Sequence, residues 1–185
     1  MRSSSRNGRA TLSVLGLAAA AALLLRPAAQ AGEHNFVLTA YTNGRGGPAL
    51  ISGDYDTAGK ALSYQPTLSS FDKSTNSTNR CVTLTVTKQW DAARAACDKA
   101  VKDAEWERTS LPSFESWART TEDEYIAVAL SNRAVLHWMS DESDAAAADL
   151  KRAANLSPKA AFVQSNRSAL EYSSRALVRT NVASK

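Results

Sequence analysis

Leu130-Ser131-Asn132-Arg133-Ala134-Val135, then Asp144-Ala145-Ala146, Asp149-Leu150, Ala153, Leu156 and Pro158, is the stretch that decides the fold. Asn132-Arg133 returns as Asn166-Arg167, 34 residues later. It is preceded by Asn79-Arg80, 53 residues earlier. A second element, Asp-x-Ala, stands at Asp56-Thr57-Ala58, Asp91-Ala92-Ala93 and Asp144-Ala145-Ala146, spaced by 35 and then 53 residues. Two elements that share one 53-residue offset move as one unit, a helix–turn–helix repeat of ~34 residues with an insertion of ~19.

Working outward, each unit reads as helix, short turn, helix. One pairs a helix over about 75–87 with one over about 90–106, which carries Trp90, Ala93, Cys97, Ala100 and Val101. The next pairs about 122–139 with about 143–155. Thr121-Glu122-Asp123-Glu124 has capping-box chemistry. A last helix, about 158–178, is expected to start at Ser157-Pro158, an N-cap followed by the residue favoured at the first helical position. Upstream, Phe36 to Tyr41 reads as a short extended lead-in, and Asn43-Gly44-Arg45-Gly46-Gly47-Pro48 as turn chemistry.

Residues 1–31 have the pattern of a secretory signal peptide: Arg2, Arg6 and Arg9, an apolar run from Leu12 to Leu25, and Ala29-Gln30-Ala31 as the cleavage site. The run is short for a membrane span, which needs ~20 apolar residues. The predicted organisation is a signal peptide at 1–31, an irregular lead-in at 32–49 and a helical domain at 50–180 with its insertion at about 103–123. The signal holds four of the chain's 22 basic residues and no acid, so residues 32–185 balance at zero formal charge. The basic balance therefore belongs to the export signal and gives no argument for a nucleic-acid partner. The chain is expected to be exported, periplasmic or secreted.

Leu130 to Pro158 resembles a tetratricopeptide repeat. The unit around Cys81 is similar at Trp90, Ala93 and Ala100, with Cys81 where a small residue belongs. The unit before it shows only its second helix clearly, and the last only its first, like the usual end helix. The resemblance covers roughly 50–178 and implies an all-α, TPR-like α-solenoid of antiparallel hairpins with a C-terminal end helix. It also implies a concave face that binds a protein or peptide. On that face it places Asn79, Val82, Val86, Ser131, Val135, Trp138 and Arg167. The family's basic clamp for peptide carboxylates is not matched, because Ser131 and Val135 replace its polar and basic residues.

Other residues leave alternatives open. Arg80, Arg133 and Arg167 are candidate ligand contacts or structural residues; in the structural reading Arg133 pairs with Asp149 across its hairpin, and Arg80 has Ala96 at the matching place, so that pairing is not general. The Asn-Arg pair is read mainly as a register mark of the fold. Cys81 and Cys97 face each other across one hairpin and are expected to form a disulfide in an oxidising compartment; the alternative is two small buried residues. Trp106, Phe114 and Trp117 in the insertion are hot-spot residue types for a partner, or rings that fold back on the neighbouring hairpin. His137 is read as a satisfied core histidine. Cleavage after Ala31 would expose Gly32-Glu33-His34, whose nitrogens form a square-planar set for Cu(II) or Ni(II). That is the alternative function, an accessory in metal handling. A third reading makes the chain a structural subunit of an envelope assembly. No catalytic constellation is recognised, no cofactor is implied, and an enzyme is not expected.

Overall fold

The computed structural model describes residues 35–63, 73–110 and 116–183, with only the backbone described at 116–119 and 176–183. The signal-peptide residues, His34 and Phe114 lie outside the described residues. Seven helices follow an extended N-terminal segment: α1 Gly47–Ser52, α2 Tyr55–Ser63, α3 Lys73–Val86, α4 Trp90–Ser110, α5 Ser116–Met139, α6 Ser143–Leu156 and α7 Ala161–Ala183. No strand occurs among the described residues, and no helix there is long and apolar enough to cross a membrane.

The most extensive packing joins α3 to α4 and α5 to α6, the two hairpins, and then α4 to α5 between them. The final helix lies against both α5 and α6, and α2 against α3. Both hairpins turn in the same way. Lys88 (φ 57°) and Asp141 (φ 62°) take the left-handed conformation just past α3 and α5. In each turn the next N–H reaches back five residues, Gln89 to Leu84 O at 2.9 Å and Glu142 to His137 O at 2.8 Å. This is the Schellman arrangement, built without glycine. Lys88 and Asp141 are themselves 53 residues apart, so the offset seen in the sequence is also an offset of backbone geometry.

The main core is made of small residues that let helices approach closely: Ala93, Ala96, Ala100 and Ala104 of α4 against Ala127 and Ala129 of α5, with Leu130, Leu136 and Val163 as bulk. Cys81 and Cys97 are bonded, with Cα atoms 4.6 Å apart, inside this core. Arg133 places Nε 2.7 Å and Nη2 2.8 Å from the two Asp149 carboxylate oxygens. Its Nη1 reaches Asp98 at 2.9 Å, so one guanidinium ties α5 to both α6 and α4. Arg80, lacking an acid opposite, donates instead to Leu62 O at the end of α2 (3.2 Å).

Several sequence expectations are corrected. Pro158 lies in the turn before α7, which starts at Ala161, because Val163 and Gln164 N–H groups bond back to Ala160 O. Thr121 to Glu124 lies inside α5. Much of the insertion is helix, lengthening the end of α4 and the start of α5. The added turns of α4 have a use: Glu107 accepts the Ser74 N–H (3.0 Å) and hydroxyl at the start of α3, and Asp103 accepts the Ser77 hydroxyl. A carboxylate there satisfies an otherwise orphaned helix N-terminal donor. Trp90, at the start of α4, is exposed. The helical part begins at Gly47, three residues before the expected boundary, with Pro48 opening α1 and Gly53 (φ 80°) closing it.

Candidate functional site

Asn79, Asn132 and Asn166 sit one each on α3, α5 and α7, and all three side chains are fully buried. A buried carboxamide must find partners for its donor and acceptor. Each grips both the N–H and the C=O of one residue in the extended N-terminal segment. Asn166 Oδ1 accepts the Val37 N–H at 2.6 Å, and its Nδ2 donates to Val37 O at 2.8 Å. Asn132 grips Thr39 in the same way, 2.8 Å on both sides. Asn79 grips Tyr41, accepting its N–H at 2.8 Å and donating to its O at 2.9 Å.

The arrangement follows from the period of an extended chain. In a strand the N–H and C=O of one residue point to one edge, and the next residue's point to the other. Residues 37, 39 and 41 therefore offer their main-chain groups along one edge, and one asparagine per helix meets them. The result is an asparagine ladder that does for this segment what a neighbouring strand does in a sheet. The segment runs opposite to the order of the helices, with Val37 at α7 and Tyr41 at α3. Ser131 supports the ladder, its Oγ taking a further Nδ2 bond from Asn166 at 2.8 Å, buried.

Side chains of the segment fill three places. Phe36 stacks on Trp138 with ring centroids 5.6 Å apart. Leu38 and Ala40 pack against the cluster of Leu50, Ala58 and Val82, joined by Val86. Tyr41 meets Tyr125 edge to face at 5.2 Å. The Tyr41 hydroxyl is buried and finds no hydrogen-bond partner among the described residues. Burial, with smaller contributions from Tyr125, Glu124 and Glu107, pushes its ionisation well above the usual phenol range.

Beyond Tyr41 the chain is locked. Gly44 N–H bonds to Tyr41 O at 3.2 Å and Gly47 N–H to Gly44 O at 3.0 Å. The Arg45 N–H bonds to Asn76 Oδ1 at 2.6 Å, and Arg45 O accepts from Asn79 at 3.1 Å. A Cβ on Gly44 would lie 2.6 Å from Asn79 Nδ2, and one on Gly47 only 2.0 Å from Tyr41 O. Only glycine permits this approach.

The expected site residues are thus distributed. Asn79, Val82, Val86, Ser131 and Trp138 meet at or beside the segment, and Val135 is buried in α5. Arg167 does not join them; it is exposed and lines a shallow cleft between α6 and α7 with Lys151 and Glu171. Trp106 lies on α4, 46% exposed, under the Lys73 ammonium at 4.5 Å from its ring. Trp117 is described only in its backbone. His137 is satisfied, its Nδ1 lying 2.6 Å from Glu142. Asn132, Asn166, Phe36, Leu38 and Tyr125 were not among the expected site residues. The signal for the two asparagines was present, since both belong to the recurring Asn-Arg pair.

Clefts elsewhere are open and shallow in lining. One beside α3 and α4, about 520 Å³, is bounded by Leu62, Asn76, Arg80, Ala96, Lys99 and Asp103 among others, and one beside α2 and α3, about 580 Å³, by Tyr55, Lys60 and Thr83 among others. Among the described residues no cluster of three or more metal-ligating side chains occurs. Comparison with protein-family models, with curated proteins and with solved structures finds no match for this chain.

Proposed function

We propose that this chain is a non-enzymatic protein-interaction module of the tetratricopeptide type, which holds an extended protein segment by its main chain across α3, α5 and α7. The observation that carries this reading is the asparagine ladder, in which three buried side chains from three helices each bind one residue's N–H and C=O. Main-chain hydrogen bonds supply affinity in strand-type peptide recognition, while pockets for alternate side chains supply selectivity. Stacked hairpins with matching turns support the solenoid architecture, since each hairpin buries its apolar face only against its neighbours. The N-terminal export pattern, together with the Cys81–Cys97 bond, supports a setting in the cell envelope or outside it.

A fluorescence-anisotropy screen of unstructured peptides against the exported chain tests the reading. Binding peptides are expected, and in a chain whose own segment is loosened by Val37→Pro, Asn132→Ala and Asn166→Ala should each weaken them while far-UV circular dichroism stays helical. Peptide binding unchanged by both substitutions would overturn it.

A further inference from the structure

The two ends of the segment are held very differently. Residues 41–47 are fixed by turn hydrogen bonds and by glycines that admit no side chain. Residues 35–39 have no such lock. Asn35 and Val37 are exposed, and this half is held by two asparagine grips, the Phe36–Trp138 stack and the packing of Leu38. The grips read backbone atoms, which every polypeptide carries. A second chain could therefore replace residues 35–39 bond for bond. Leaving the grips empty is disfavoured, because Asn132 and Asn166 are fully buried and would lose partners. Exchange of one occupant for another is the favoured opening.

We infer that residues 35–39 are a tethered occupant that a partner segment displaces from the α7 end, and that the partner repeats their alternation, an aromatic residue for Trp138 and an aliphatic one two positions later. This inference rests on the proposed peptide-binding reading and adds the chemistry of the ligand and a built-in competitor. Selection comes from the side chains that the ladder ignores. Phe36 meets the Trp138 face, and Leu38 meets the Val82 and Val86 cluster. Tethering sets the threshold. A segment joined by a short linker acts at an effective concentration on the order of millimolar, so a free peptide with identical contacts competes poorly.

The probe is a labelled peptide with the sequence of residues 35–39, Asn-Phe-Val-Leu-Thr, titrated against the full chain. Val37→Pro removes the N–H that Asn166 Oδ1 accepts and puts a ring carbon in its place, at a position whose own side chain is exposed. Phe36→Asp weakens the stack by a separate route. Each variant is expected to bind the probe at least about tenfold more tightly than the unsubstituted chain. A probe with serine at both its Phe and Leu positions should bind at least about tenfold more weakly. Hydrogen exchange of the unsubstituted chain supplies a measurement free of mutation: the Val37 and Thr39 amides should exchange faster than those of α5.

No gain in affinity in either variant, with helicity retained, overturns the tethered-occupant inference. So does exchange of the Val37 and Thr39 amides only at the rate of global unfolding. Equal binding of the original and serine-substituted probes overturns the ligand pattern and leaves the proposed function standing. Failure of every peptide to bind either variant overturns both.

Discussion

The two hairpins share one backbone design and lock it by different chemistry. At the 53-residue offset, Cys81 and Cys97 correspond to Ala134 and Leu150, which pack in one buried cluster. Arg80 and Ala96 correspond to Arg133 and Asp149. The α3/α4 hairpin is therefore closed by a covalent bond and has no ion pair between those matched positions. The α5/α6 hairpin is closed by an apolar contact and a bidentate ion pair. Each hairpin thus carries a link between its helices, in one case sensitive to redox and in the other to charge.

The comparison is best broken at its ionic half. Arg133→Met takes the bidentate guanidinium from Asp149, whose side chain is 7% exposed, leaving only His137 Nε2 at 3.8 Å beside it. A loss of about 3–5 kcal/mol is expected in urea unfolding. The matching Arg80→Met removes the bond to the Leu62 carbonyl and should cost about 1 kcal/mol. Similar losses from the two would show that the hairpins do not differ as described.

Next comes the covalent half. Reduction, or Cys81→Ala with Cys97→Ala, reopens a link spanning 16 residues. The expected loss is about 3 kcal/mol in the chain-entropy model. Hydrogen-exchange protection should fall first in α3 and α4, with α5 and α6 less affected.

The ladder crosses both hairpins and makes a smaller contribution. Asn132→Ala leaves the Thr39 N–H and C=O without their partner, and about 2 kcal/mol should be lost. Since α5 keeps its other contacts, melting of far-UV circular dichroism should stay a single transition. Loss of the helical signal at room temperature would contradict this.

The smallest effect separates the turns. Glu142 in the second turn corresponds to Gln89 in the first. Arg94, followed by His137, holds the Glu142 carboxyl down to about 2. Its contribution to stability is complete above the ordinary carboxyl range and is lost as pH falls toward 2. Glu142→Gln should flatten that part of the stability curve, measured by thermal melting from pH 5 to pH 2. An unchanged curve would place the acid sensitivity elsewhere.

Much of the fold was legible because the repeat left two kinds of mark on the sequence, Asn-Arg and Asp-x-Ala, at one offset. The Arg133–Asp149 pairing and the cysteine bond followed from placing residues on facing helices. The turns were harder. Lys88 and Asp141 adopt a conformation usually signalled by glycine, and the surrounding helices over-determine it. Pro158 misplaced the start of α7 because a proline suits a turn as well as a first helical turn. The site was half visible. The three asparagines announced themselves by recurrence, yet read as markers of register. Their partners are main-chain groups, which carry no residue code, and those partners lie 129, 93 and 38 residues away in the sequence.

Those separations also bear on how the chain assembles as it is made. Residues 35–41 are synthesised before every helix that grips them, and contacts between distant parts of a chain form late. Tyr41 can meet Asn79 as soon as α3 exists, but Val37 must wait for α7. The Phe36 end of the segment is thus the end whose grip requires the C-terminal helix. A chain cut short before Asn166 would leave Val37 ungripped, so the segment's N-terminal half would report an unfinished molecule.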